Sequence, residues 1–123
     1  MVRLGIGTTL VVRGRRTGRV IEVPLGAPLL IDGARYLVSG GGNTQWVRNL
    51  RAAGRAALRV NGRTKEFRAV ELVGAERDRI VATYRQHLGH RGDHYFAQLP
   101  AAADHAAFRV EPLGQEARRE EDE

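Results

Sequence analysis

Along the first third of the chain, apolar and polar positions alternate with the period of strands rather than helices. "GTTLVVR" (7–13) is rich in β-branched residues, and "RVIEVPL" (19–25) leaves the glycine-flanked turn that follows it. Pro24 has no N–H to give to a ladder, so its position is expected at an edge, a bulge or a break. "APLLIDGARYLVSG" is the plainest hairpin, with Asp32-Gly33 as a type I′ turn signal between Leu29–Ile31 and Tyr36–Val38. After the three glycines 40–42 the period changes. Trp46, Val47, Leu50 and Ala53 step as one face of a helix, with Asn43 or Thr44 to cap it and Gly54 to end it. "ALRVNGRTKEFRAVELV" returns to strand around Asn61-Gly62, and its second half alternates poorly, which predicts a bulge or burial on both faces. A second helix carries Ile80, Val81, Tyr84 and Leu88 on one side. Gly89 to Asp104 reads as loop or irregular, "HAAFRVEPL" as a closing strand, and 114–123 as a disordered charged tail.

Six to seven antiparallel strands in short hairpins, with two helices, are not a βαβ alternation. They predict a mainly β domain over residues 1–113, its sheet curled into a small barrel with helices packed outside.

Composition narrows the partners. The 123 residues are 42% hydrophobic and 28% charged, ordinary for one globular domain, and no apolar run approaches a membrane span. Without cysteine there are no disulfides, thiolate catalysis or cysteine metal sites, and with no leader pattern the expected compartment is the cytoplasm. The formal charge of +6 is carried by arginine almost alone and asks for an anionic partner, polymer or small molecule.

Three constellations carry chemistry. In "RGRRTGRV", Arg15, Arg16 and Arg19 add forked donors to a glycine-flanked turn: an anion seat, or a solvated basic hairpin. In "SGGGNTQW", bare backbone at Gly40, Gly41 and Gly42 lets a flat ligand lie close, beside the N-terminus of the Trp46 helix. The alternative is a flexible linker with Trp46 as ordinary core; Asn49, close to the same face, reads either as a polar group kept for hydrogen bonding or as the border of a surface face. His87, His90 and His94 read as a solvated loop, not a metal site. Ser39 is the one serine and lies in no Gly-x-Ser-x-Gly motif, so the chain offers no nucleophile of its own. That profile suits a protein whose ligand carries the chemistry.

The order of "TTLVVRGRRTGRVIEVPL", "DGARYLVSGGG", "WVRNLRAAGRAALRVNGRT" and "FRVEPL" resembles the deazaflavin-dependent nitroreductase family, the quinone- and nitroreductase-like members of the flavin/deazaflavin oxidoreductases. The resemblance implies a split β-barrel of the FMN-binding type that holds coenzyme F420, a flat 8-hydroxy-5-deazaflavin trailing a phosphate and an oligoglutamate tail. It implies that Arg15, Arg16 and Arg19, with Thr17 between them, meet the phosphate and tail. Val23, Pro24, Leu25, Ser39, Gly40, Gly41 and Gly42 would border the ring, and Trp46 and Asn49 would close the pocket. Tyr84, Tyr95 and Phe96 are the substrate-side aromatics on this reading. The cofactor would pass hydride from C5 to a quinone, nitro group or activated alkene, with no catalytic side chain and no metal.

Departures from the pattern keep rivals open. Gly40 stands where many relatives have lysine, and Thr44-Gln45 replaces a His/Asn-Pro pair before the tryptophan. FMN or haem are alternative ligands, and a carrier without turnover an alternative role. A basic nucleic-acid-binding module is the rival of a different class; the seven aromatics, set at apolar-face positions, disfavour it. Edge strands leave room for a homodimer.

Overall fold

A computed structural model describes residues 2–4 and 7–113; the expected tail at 114–123 lies outside them. The strands are β1 (Val2–Leu4), β2 (Thr8–Arg13), β3 (Val20–Leu25), β4 (Leu29–Ile31), β5 (Ala34–Val38), β6 (Arg55–Val60), β7 (Arg63–Glu71) and β8 (Ala107–Pro112). The helices are α1 (Gln45–Ala53), α2 (Gly74–Leu88) and the short α3 (Asp93–Gln98). The strands form one antiparallel sheet in the order β1-β4-β5-β8-β7-β6-β2-β3, curled into a half-barrel.

The turn chemistry explains the local register. Asp32 and Gly33 both take positive φ (49° and 83°), as do Asn61 and Gly62 (52° and 76°), the backbone a two-residue hairpin requires. Gly54 ends α1 at φ 74°, its N–H bonding the Leu50 carbonyl, while its own carbonyl receives the Ala69 N–H of β7. Pro24 sits on β3, which pairs only with β2 among the described strands, so its missing donor costs the sheet nothing.

Two cores lie on the two faces of the sheet. On the inner face, Leu10, Val12, Leu37, Leu58, Phe67 and Phe108 pack against Val47 and Leu50 of α1. The outer core sets Leu29, Tyr36, Leu72 and Ala107 against Ile80 and Val81 of α2 and Phe96 of α3. The poor alternation of β7 is thus resolved by burial on both sides: Ala69 packs on the inner core and neighbouring Leu72 on the outer, with unbroken pairing to β6 and β8.

The segment 89–104 departs from the expected loop. A 3₁₀ turn at Gly89–Gly92, α3, and a second 3₁₀ turn at Ala102–Asp104 fill it. Six residues are too few to show a helical period, and α3 owes its place to burying Phe96.

The sheet's two ends are brought together by its connectivity. β3 closes one end of the strand order and β4 stands next to the other, yet only Gly26–Pro28 separates them. Three linking residues reach at most about 14 Å, so the curl has to bring the two ends close.

Candidate functional site

A cavity of about 340 Å³ opens at this seam. Its wall combines Pro24 and Leu25 of β3, the Gly26–Pro28 link, Leu29, Tyr36–Val38, Ser39, Gly40, Gly41 and Thr44, with Trp46, Tyr84 and Tyr95 closing it. Eight of these were expected from the sequence: Pro24, Leu25, Ser39, Gly40, Gly41, Trp46, Tyr84 and Tyr95.

The glycine turn is held, not flexible. The Ser39 N–H bonds the Ala106 carbonyl at 2.9 Å, and the Ser39 carbonyl accepts from Gly42 at 3.3 Å. The buried His105 ring lies between two carbonyls, with Nδ1 3.0 Å from that of Ser39 and Nε2 2.7 Å from that of Leu99. Beneath it Phe96 stacks at 4.4 Å between centroids. The turn is therefore braced from the outer core.

Two hydroxyls in the wall, Ser39 Oγ and Thr44 Oγ1, are buried and have no hydrogen-bond partner among the described residues. Thr44 occupies the N-cap position of α1, as expected, but makes no cap bond with its side chain. A buried hydroxyl without a partner is costly, and a ligand in the cavity could satisfy both. The first turn of α1 holds no acid, which leaves its positive end uncompensated beside Gly41 and Thr44. Burial pushes the Tyr84 phenol up; Tyr95 adds to this and Arg91 opposes it, so Tyr84 remains a protonated O–H donor at neutral pH.

The arginine turn sits beside the same helix. Asn49 is buried on α1, and its Oδ1 accepts from the Arg15 backbone N–H at 3.1 Å and from Arg15 Nη1 at 2.8 Å. Arg15 Nη1 also donates to Gln45 Oε1 at 2.9 Å. The turn closes on itself through Gly14–Arg19 and Gly18–Gly14 backbone bonds, and Thr17 Oγ1 accepts from the Arg19 N–H. Arg16 and Arg19 stay exposed. The two regions singled out in the sequence thus flank one helix.

Other expected residues fall elsewhere. Gly42 is buried with its Cα turned to Leu99 and Asp104, away from the cavity. Val23 packs against the inner core. Phe96 is not on the substrate side: it belongs to the outer core, because one helical step from Tyr95 rotates it about 100° away. Asn49 fastens the arginine turn to α1 and does not line the cavity. Conversely, Gly26, Ala27, Pro28, Leu29, Tyr36, Leu37, Val38 and Thr44 line the cavity and were not expected as site residues. Gly26 and Pro28 bracket the link in the sequence, but only the closure of the sheet gives them a cavity to line. No group of histidines and carboxylates that could hold a metal occurs among the described residues. No described helix is long and apolar enough to cross a membrane.

A family model described as F420H(2)-dependent quinone reductase matches residues 4–96. Among solved structures, one described as a domain-swapped dimer superposes with a TM-score of 0.63 at 20% identity, covering 89% of this chain and 82% of the other. A structure of an F420-H2 dependent reductase gives 0.61 at 20% identity, covering 86% and 94%. A FAD-binding protein from Mesorhizobium loti gives 0.58 at 16% identity, covering 93% and 94%. These likenesses establish the fold. No curated protein matches the chain.

Proposed function

The chain belongs to the F420H2-dependent quinone reductase family, and on that premise we propose that the seam cavity seats the ring of reduced coenzyme F420 for hydride transfer to an electron-poor small molecule. Membership makes the protein a reductase that works with F420. The acceptor class, a quinone, nitro compound or activated alkene, and the residue roles below are our reading.

One observation carries it: the cavity wall holds two buried hydroxyls, Ser39 Oγ and Thr44 Oγ1, that nothing among the described residues satisfies. A flat heterocycle edged with carbonyl and N–H groups suits them, and Gly40 and Gly41 add a wall without β-carbons. The cavity volume, about 340 Å³, is near the low end of the roughly 300–1,000 Å³ typical of ligand sites. It suits a ring system, and leaves a phosphate and glutamate tail to run outside. Arg15, Arg16 and Arg19, fixed beside α1 through Asn49, offer that tail its counter-charge. The residues present fit the cofactor.

When bound, the reduced deazaflavin supplies hydride from C5. The chain's own part is to orient and to exclude water. Trp46 and Tyr95 border the ring, and the Tyr84 hydroxyl donates to an oxygen of the acceptor. The aromatic side chains lie in the cores or at the cavity rather than among the arginines of the turn, which speaks against base stacking on nucleic acid. The β3 edge, with Val20 and Ile21 exposed, suits pairing with a second copy.

Titration of the apo protein with F420 and with FMN, followed by turnover with quinone and nitro acceptors, tests this reading. Saturable F420 binding and oxidation of F420H2 by one acceptor class are expected. Tighter binding of FMN, or F420 binding without turnover on any acceptor, would displace it.

A further inference from the structure

A second cavity, of about 480 Å³, lies across β5, β8, β7 and β6 and shares no lining residue with the first. Strand alternation places its side chains on the inner face of the half-barrel. On β7, Arg63 and Lys65 continue the row that begins at buried Phe67; on β5, Arg35 stands two residues before Leu37 of the same core. The inner face that buries Leu37, Leu58 and Phe67 under α1 therefore ends in three cations.

Arg35, Arg63 and Lys65 stand exposed at the open end of this face, where their charges stay hydrated and within reach of an entering anion. Arg35 and Arg63 have no ion pair or hydrogen bond among the described residues. Glu66, the acid beside the cavity, alternates to the other face, where it is 71% exposed and 3.8 Å from Arg55. The floor is apolar, made by Leu58, Phe67 and Val110. Four adjacent strands at about 4.8 Å spacing make it broad, not tunnel-like.

We infer that this cavity is a second binding site, independent of the redox cavity, for a compact amphipathic anion: a bulky apolar body bearing one carboxylate. The body lies on Phe67, Leu58 and Val110, and the carboxylate takes the forked donors of Arg35 and Arg63.

The test uses the full chain, 2-naphthoate as probe and 2-naphthamide as its uncharged isostere, with calorimetry and amide NMR shifts. Naphthoate should bind one per chain, shift residues of the β6–β7 hairpin, and exceed the amide about tenfold in affinity. The double variant Arg35→Gln/Arg63→Gln should lose most of that advantage while binding F420 as the parent does, which also certifies its fold. Equal affinity for acid and amide, unchanged binding in the double variant, or displacement of naphthoate by F420 would each overturn the assignment.

Discussion

The ring of Tyr95 lies against the α-carbon of Gly40. A β-carbon built on Gly40 would stand 2.9 Å from Tyr95 Cδ2 and 3.1 Å from Cε2 and Cγ. A residue of α3 thus occupies the space a side chain at 40 would take, on the wall of the seam cavity.

Replacing Gly40→Ala should therefore overpack that contact and cost about 1–3 kcal/mol. Urea denaturation of the single variants and of Gly40→Ala/Tyr95→Ala closes a double-mutant cycle. Removing the ring should recover most of the loss. A penalty that persists in the double variant would place the need for glycine in the backbone.

The orphaned hydroxyls yield the sharpest separation of fold from function. Ser39→Ala and Thr44→Val should leave the melting temperature of the apo protein unchanged or raised, since neither hydroxyl has a partner to lose. Affinity for F420 should fall by about 1–2 kcal/mol, roughly 5–30-fold. Lower apo stability with unaltered binding would assign both groups to the fold.

Asn49→Ala removes the acceptor for two Arg15 donors, one of them main-chain. It should cost about 1–3 kcal/mol of stability. It should also weaken F420 more than a deazaflavin lacking phosphate and tail. Arg16→Gln/Arg19→Gln should weaken only the tailed cofactor, with a difference that shrinks as salt is raised. Equal losses for both ligands, measured by fluorescence titration, would move the tail elsewhere.

Two groups contribute to the pH dependence of stability. Hydrogen bonds from Arg68 and then Arg109 hold the Glu111 carboxyl below its ordinary value. A lowered folded value stabilises the protein above the ordinary carboxylate range, and that contribution is lost as pH falls through it. Glu111→Gln should flatten the acid limb of a stability profile by less than about 1 kcal/mol, because the pair is partly exposed. At the other end, Tyr84 is raised above the ordinary 10.0, mainly by burial. Its contribution is complete below that value and drains as pH climbs past it, so Tyr84→Phe should extend the alkaline plateau in thermal melts.

Legibility followed the range of the interaction. Asp32-Gly33, Asn61-Gly62 and Gly54 were readable because positive φ is a local demand with a local residue to meet it. The α1 face was readable because Val47 and Leu50 keep period over nine residues. β1, three residues long, and α3, six, have no period to show. In the site, Ser39, Gly40 and Trp46 announced themselves by type. Gly42 and Phe96 were misplaced because adjacency in sequence was taken for adjacency in space. That Tyr95 covers Gly40, with 54 residues between them in the chain, depends on packing that no local pattern carries.

The three-residue link between β3 and β4 makes the seam cavity the place where the sheet's hydrogen-bonded ladder is interrupted. A molecule resting there touches both margins of the interruption and works as a clasp on the half-barrel. Occupancy and resistance to unfolding then become two readings of one equilibrium: each tenfold excess over the dissociation constant adds about 1.4 kcal/mol to the closed form. With the coenzyme in its proposed seat the sheet is fastened; without it, the same sheet is left unbuckled.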